Sequence, residues 1–231
     1  MGTADEASSC WPQPARNGFV PPHSMLQPVC RTTLQFHIGR LGSSSSITSV
    51  DCSRKIPMVA TTPTQTAPLD GLPPVISRQT RLLILGSFPG VASLQAQQYY
   101  GHPRNHFWPI LSALWGVDLV RRTYAQRLQE LRERGLGVWD VYATCRRAGS
   151  LDSAIHDAVL NDLASLRRRA PLLQAVAHNG GESARAMRHT QALGLPVLKL
   201  PSTSPAHASW SFERKLAAWR SAFAEHGMIG P

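Results

Sequence analysis

The sequence has little cysteine and no long apolar run. Three of its four cysteines, Cys10, Cys30 and Cys52, lie in the first 80 residues, which leaves only Cys145 in the rest of the chain. An iron–sulfur cluster or a thiolate zinc site needs several well-placed thiolates, so we expect no metal and no other cofactor. Unpaired cysteines suit a reducing compartment, and no stretch approaches the ~20 apolar residues of a membrane span. We therefore expect a cytoplasmic protein that does not enter a membrane.

Acidic residues are also few. The chain has 24 Lys and Arg against 14 Asp and Glu, a net charge of +10, and from residue 81 onward the counts are eighteen against ten. A basic domain favours a polyanionic partner, because contacts with phosphates do not depend on nucleotide sequence. A solvated basic face explains the same charge, so charge alone does not decide the partner.

The first part of the chain lacks any sustained helical or strand period. It contains clusters such as Ser43–Ser46 and many Pro and Thr. Such a segment buries too little apolar surface to offset the entropy lost on ordering. We predict that residues 1–70 are a disordered extension, or the product of an over-long gene model that should start at Met58, and that residues 71–231 form one catalytic domain. Because the extension contains Arg and few acids, a transit peptide is the alternative.

Short apolar runs alternate with helical patterns in the second part of the chain. The strand candidates are Leu82–Leu85, Gly137–Val141, Leu173–His178 and Pro196–Leu200. The helical patterns are Phe107–Trp115, Leu119–Arg134, Leu151–Arg169, Glu182–Ala192 and Ser209–Glu225. This alternation predicts an α/β fold, a three-layer α/β/α sandwich around a four-stranded parallel sheet. Ligands of such folds bind beyond the carboxyl ends of the strands, so we expect four loops to meet there: Gly86–Gly90, Tyr142–Arg147, Asn179–Gly181 and Pro201–His207.

Aromatic, cationic and amide side chains follow the first strand candidate. After the Gly-Ser-Phe-Pro-Gly turn come Tyr99, Tyr100, His102, Arg104, Asn105, His106, Phe107 and Trp108. Aromatic rings can stack on a nucleotide base, and cations can bind its phosphates. Phe107 and Trp108 suit the core better. The segment therefore predicts a nucleotide-binding site.

The same segment resembles the first motif of hypoxanthine-DNA glycosylases, a branch of the uracil-DNA glycosylase superfamily. GSFPG and SLQAQQYYGHPRNHFW carry the likeness, and VWDVYATCRRAGSLDSAI, HNGGESA and LPSTSPAHA follow in the family's order, over about residues 72–222. The resemblance implies a monofunctional, monomeric base excision repair enzyme acting at the bacterial nucleoid. It would flip a deaminated base, in this branch hypoxanthine from deoxyinosine, out of DNA and hydrolyse its N-glycosidic bond.

The resemblance also assigns site residues. The Asn of the family's Pro-Arg-Asn-x-Phe-Trp motif matches Asn105, which would be the catalytic amide, because a carboxamide orients water and donates hydrogen bonds without titrating. Mismatch-specific uracil glycosylases carry an Asn where this chain has Phe88, which can stack on a base but cannot position water. Ser87 and Tyr100 are expected to bind the base beside Phe88. The alternatives are a helix cap for Asn105 and core packing for Phe88.

Phosphates beside the flipped nucleotide are expected to bind Arg104 and the second motif. In that motif Ser202, Thr203 and Ser204 offer hydroxyls and backbone amides. Relatives often carry His-Pro-Ser where this chain has Leu-Pro-Ser, so His207 is the nearest replacement histidine. A surface ion pair is the alternative for Arg104.

Other functions stay open at this point. A uracil or mismatch-specific glycosylase of the same superfamily and a catalytically silent nucleic-acid-binding module both fit the residues. A hydrolase with Ser202 or Ser204, His207 and Asp140 is a third alternative, although the chain lacks a G-x-S-x-G elbow. Asp140 and Asp152 are also candidates for activating water, while the sequence around Asp152 suits a helix start with Ser150 as N-cap.

Overall fold

The computed structural model describes residues 67–230. Its strands are β1 (Leu69–Asp70), β2 (Leu82–Gly86), β3 (Leu136–Asp140), β4 (Tyr142–Arg146), β5 (His156–Leu160), β6 (Ala175–Asn179) and β7 (Val197–Leu200). We predicted an extension over residues 1–70. Its first 66 residues, Met58 among them, lie outside the described residues. Its last two residues form β1, which pairs with β4 and so belongs to the domain.

Four strands form a parallel sheet in the order β3-β2-β6-β7. Every residue of β2, β3 and β6 is buried, which explains why these strands are mostly apolar and do not alternate; the polar residues Asp140, His178 and Asn179 stand at the carboxyl ends of β3 and β6. Helices pack against β3, β6 and β7. The predicted α/β fold with a four-stranded parallel sheet flanked by helices is confirmed. The three other strands form a small antiparallel sheet in the order β1-β4-β5, which we did not predict.

The helices are α1 (Val91–Ala96), α2 (Phe107–Trp115), α3 (Tyr124–Glu133), α4 (Leu166–Arg169), α5 (Gly181–Ala184), α6 (Met187–Gln191) and α7 (Phe212–Glu225). The predicted bounds of α2 are confirmed. Helix α3 begins five residues later than predicted, because Thr123 and Gln126 form a capping box. The single helix predicted for Glu182–Ala192 is two short ones. Among residues 67–230, no helix is both long enough and apolar enough to cross a membrane.

The helix predicted for Leu151–Arg169 is wrong. Its middle is strand β5, which pairs antiparallel with β4, itself predicted as a loop. All five residues of β5 are exposed. Its sequence therefore has no alternation of buried apolar and exposed polar residues from which a strand could be predicted. Ser150, the predicted N-cap of that helix, instead accepts a hydrogen bond from the backbone amide of Val91 (2.9 Å) and so caps α1.

Candidate active site

A cleft of about 400 Å³ opens at the carboxyl edge of the parallel sheet, a volume within the range of ligand pockets. Its walls come from the turn after β2, the segment before α2, the ends of β3 and β6, the turn after β4, and the loop after β7. These walls include Gly86–Gly90, Tyr99, Tyr100, His102, Asn105, Asp140, Ser150–Ser153, Asn179 and Ser202–His207. Three of the four predicted loops therefore meet, whereas Tyr142–Arg147 is strand β4 and the turn that follows it lines the cleft in its place.

The floor of the cleft lies where β2 and β3 end side by side. Gly86 is the register partner of Asp140, and a Cβ at Gly86 would lie 2.4 Å from Oδ1 of Asp140. No larger residue fits there without moving that carboxyl. The next residue, Ser87, donates its hydroxyl to Oδ1 of Asp152 (2.7 Å), which ties the turn after β2 to the turn after β4.

Phe88 is buried and also lines the cleft. The guanidinium of Arg147 lies 5.2 Å from the centre of the Phe88 ring and donates to the backbone oxygen of Pro89. Core packing, the alternative we gave for Phe88, is therefore part of its role. Base stacking stays a prediction.

Asn179 connects three segments of the site, and we had not named it as a site residue. Its Nδ2 donates to the hydroxyl of Tyr100 (3.1 Å) and to Oγ1 of Thr203 (2.9 Å), while its Oδ1 accepts from the backbone amide of Thr203 (3.0 Å). Tyr100 in turn stacks on Phe107 at 3.8 Å between ring centres. The only sequence signal for Asn179 was its position at the end of an apolar run, within HNGGESA.

The second motif divides into supporting and accessible side chains. Thr203 lines the cleft but is fully buried, and its hydroxyl accepts a hydrogen bond from Asn179, so the structure gives it a supporting contact, while its role in phosphate binding stays a prediction. Ser202 and Ser204 are partly exposed and accept hydrogen bonds from the backbone amides of Ser204 and Ala206, which leaves their hydroxyl hydrogens able to donate outward. These two serines stay predicted phosphate ligands.

The N-cap of helix α2 is His106, whose side chain makes no capping bond within the described residues; Asn105, just before it, bonds to the start of the helix instead and also lines the cleft. Its Oδ1 accepts a hydrogen bond from the backbone amide of Phe107 (3.0 Å). Within residues 67–230 its Nδ2 has no hydrogen-bond partner, so this donor is available to a molecule in the cleft. The cap and the catalytic role that we gave as alternatives are therefore compatible. The catalytic role itself stays a prediction.

Arg104 and His207 differ in the charge they can offer to DNA. Arg104 is exposed beside the cleft and forms no ion pair with any residue in the described range. His207 lines the cleft, and burial, assisted by the nearby Lys215, lowers the pKa of its imidazole. A neutral imidazole can donate a hydrogen bond but adds no positive charge, so Arg104 is the stronger phosphate candidate.

Lys215 holds the second motif in place. It is 1% exposed and donates from Nζ to the backbone oxygen of His207 (2.8 Å). On the same helix, Nε1 of Trp219 donates to the backbone oxygen of Pro201 (3.1 Å). Both ends of the second motif are therefore attached to α7.

Asp140 carries an unusual carboxyl group. It is 4% exposed, and its Oδ2 has no hydrogen-bond partner within the described part of the chain. Burial, and then repulsion from Asp152, raise its pKa to about 8, although Arg147 opposes the shift. A general base works best when its pKa lies near the operating pH, so the raised pKa of Asp140 is compatible with the base role that we considered for it, and that role stays a prediction.

The hydrolase alternative lacks its contacts. Within residues 67–230 the ring of His207 bonds only to Ser209 (3.5 Å), and neither Ser202 nor Ser204 approaches it through the hydroxyl. A nucleophilic serine needs a base within hydrogen-bond reach. The arrangement therefore gives no support to a Ser/His/Asp mechanism.

Known proteins resemble this chain over the same region. A family model described as the uracil DNA glycosylase superfamily matches residues 73–223. A hypoxanthine DNA glycosylase of Methanosarcina barkeri is 39% identical over 153 residues, which cover 66% of this chain and 96% of that protein. A second one, from Methanosarcina acetivorans, is 35% identical over the same shares. A solution NMR structure from Methanosarcina acetivorans, described as a candidate uracil DNA glycosylase, superposes with a TM-score of 0.64 at 33% identity and covers 70% of this chain and 99% of its own.

Proposed function

Because this chain belongs to the uracil DNA glycosylase superfamily, we propose that it is a monofunctional DNA glycosylase that excises hypoxanthine from deoxyinosine in DNA and leaves an abasic site. The observation that carries the proposal is Nδ2 of Asn105, which has no hydrogen-bond partner in the described part of the chain and belongs to a cleft that Phe88 and Tyr100 also line. The identity to two hypoxanthine DNA glycosylases favours hypoxanthine over other bases.

The reaction breaks the bond between the base nitrogen and C1′ of the deoxyribose. The flipped base enters the cleft, where Phe88 and Tyr100 contact it. As the bond stretches, the sugar becomes positive and the base leaves with negative charge, so a positioned water and a hydrogen-bond donor lower the barrier. Asn105 supplies that donor through Nδ2. Water adds to C1′, and its proton balances the departing anion.

DNA binding rests on residues around the cleft mouth. Arg104 is exposed and precedes Asn105 of the cleft wall, and the segment that follows it bonds to the second motif through the amide of His106 and the backbone oxygen of Thr203 (3.0 Å), with Ser202 and Ser204 on either side of that contact. These groups would bind phosphates on the two sides of the flipped nucleotide and set its position without reading sequence. The protein would act as a monomer on DNA.

Excision is tested with oligonucleotides that carry one inosine or one uracil. Purified protein is incubated with each, and alkali followed by a denaturing gel reveals abasic sites. We expect more strand cleavage at inosine than at uracil. Activity on uracil alone would contradict the substrate and favour the alternative that the NMR structure's description suggests. Binding without cleavage of either oligonucleotide would contradict the reaction and favour a silent binding module.

A further inference from the structure

A buried ammonium group lies behind the second motif with no negative charge to balance it. Lys215 on α7 is 1% exposed, and within residues 67–230 its Nζ makes a single hydrogen bond, to the backbone oxygen of His207 (2.8 Å). In the same range it forms no ion pair with a carboxylate. Lysines are almost never fully buried unless they are paired, because the loss of hydration destabilises the charge. The unpaired charge of Lys215 therefore calls for a partner.

The second motif itself offers a phosphate only neutral groups. Ser202 and Ser204, its predicted phosphate ligands, carry hydroxyls. Burial, and to a lesser extent Lys215, lowers the pKa of the His207 imidazole, so this ring is neutral at pH 7. The pKa of His106, whose amide bonds to the motif, is lowered by the same two causes. Neutral donors leave the charge of a bound phosphate unbalanced, and Lys215 is a cation attached to the same loop.

A single turn of backbone connects Lys215 to the serine hydroxyls. The amide of His207 donates to the backbone oxygen of Ser204 (3.1 Å), and the amide of Ala206 donates to Oγ of Ser204 (3.2 Å). The carbonyl of His207 accepts from Lys215 on the buried side of this turn, whereas Ser204 lines the cleft. Because Lys215 is buried, it acts on an anion in the cleft through its electric field and without direct contact. The attraction between charges is stronger across protein than across water.

We infer that Lys215 is a positioning residue for DNA, whose buried charge attracts the phosphate that Ser202 and Ser204 bind; this inference rests on the proposed function. Without DNA, the ammonium is held by its bond to His207. The bound phosphate then completes the charge pair across the turn. Burial lowers the pKa of Lys215, and a nearby phosphate opposes that shift, so DNA binding and protonation of Lys215 favour each other.

The salt dependence of DNA binding separates this role from structural support. The variant Lys215→Met keeps an unbranched side chain of similar length and removes the charge. Dissociation constants for an inosine-containing duplex are measured by fluorescence anisotropy between about 50 and 400 mM salt. We expect Lys215→Met to bind about tenfold more weakly at the lowest salt and less than about threefold more weakly at the highest. The reason is that the slope of log Kd against log salt should fall by about one when one phosphate-attracting charge is lost.

Two residues of α7 supply matched controls. Trp219→Phe removes the bond to the backbone oxygen of Pro201 at the other end of the motif and leaves the charge unchanged, so any loss of affinity should be the same at every salt concentration. Arg220→Gln removes an exposed positive charge and should change the slope less than Lys215→Met does. Urea unfolding of every variant is recorded, so that affinities refer to folded protein.

A neutral phosphate analogue identifies the anion. A methylphosphonate replaces, in turn, the phosphate on each side of the inosine. At one of the two positions it should weaken binding to the wild type by about tenfold, but binding to Lys215→Met by less than about threefold, because the charge that attracts this phosphate is already missing.

Lys215→Gln distinguishes the charge from the hydrogen bond. It keeps a donor for the backbone oxygen of His207 without the charge, so it should bind DNA as weakly as Lys215→Met, and it replaces that variant if Lys215→Met does not fold. Wild-type affinity in Lys215→Gln, or equal methylphosphonate losses in the wild type and the variants at both positions, would overturn the inference while leaving the glycosylase activity in place. Charge-dependent binding by a wild-type protein that excises no hypoxanthine would instead overturn the proposed reaction and leave the role of Lys215 standing.

Discussion

Replacing Asn105 separates its two roles, because the two atoms of its amide do different things. Oδ1 accepts a hydrogen bond from the amide of Phe107 at the start of α2, while Nδ2 has no partner within residues 67–230 and belongs to a side chain that lines the cleft. Asn105→Asp keeps an acceptor for the cap and places a negative charge at a helix N-terminus, which stabilises by about 0.3–1 kcal/mol. It also removes the donor and repels an anionic leaving base. We therefore expect the free energy of unfolding to stay level or rise, while the single-turnover excision rate falls by at least ~10²-fold.

The comparison variants are Asn105→Ala and Thr123→Ala. Asn105→Ala loses the cap and the donor, so it should cost about 1 kcal/mol of stability as well as the rate. Thr123→Ala removes the capping box of α3, outside the cleft, and should cost a similar stability with no change in rate per folded molecule. Urea unfolding and single-turnover excision of hypoxanthine are measured on the same preparations. An Asn105→Asp protein that excises within a few-fold of the wild type would refute the catalytic assignment.

Three further predictions concern stability and DNA binding. Between pH 4 and 8 the folded domain retains a proton on Asp140 that the unfolded chain has lost, so the contribution of Asp140 to stability decreases with rising pH in this window; the stability of Asp140→Asn relative to the wild type should therefore grow by up to about 1.4 kcal/mol per pH unit from pH 5 to pH 7 in urea unfolding, and a constant difference would contradict the raised pKa. Gly180 has φ +103°, and a Cβ there would lie 2.9 Å from Cβ of Ser202, so Gly180→Ala should lower the free energy of unfolding by about 1–3 kcal/mol. The matched control is Gly181→Ala, where a Cβ would meet open space, and equal melting temperatures for the two variants would show that the turn adapts. Thr203→Val should lower stability by about 1–3 kcal/mol, because it removes the bond to the buried Asn179 amide, whereas Ser202→Ala loses only the hydrogen bond from the backbone amide of Ser204 and should lower the melting temperature less while weakening binding to DNA; the reverse pattern would exchange their roles.

The elements that could be predicted from sequence were those whose signal is local. The apolar runs at β2 and β3 and the helical period of α2 identified these elements, because each buries its own residues regardless of its partner. The pairing of β4 with β5 could not be predicted from the sequence, because no side chain of β5 is buried and the strand depends on its neighbour for stability.

The site was predictable in composition but not in its connections. Asn105 and Phe88 were visible as unusual residues beside a turn, and both line the cleft. Asn179 was missed because its importance comes from two partners that are 79 and 24 residues away in the chain. The state of Asp140 was missed for the same reason, since burial and Asp152, rather than its sequence neighbours, raise its pKa.

The attachment of the second motif to α7 has a genetic consequence. Lys215 and Trp219 contact the backbone at the two ends of that motif, and both side chains are buried away from the cleft mouth. A screen for loss of repair should therefore recover substitutions in the C-terminal helix together with substitutions in the cleft. Such alleles would lose affinity for DNA while keeping every residue that touches the base. If mutations were classified only by their distance from the substrate, these would be taken for mutations that unfold the protein rather than for mutations that weaken DNA binding.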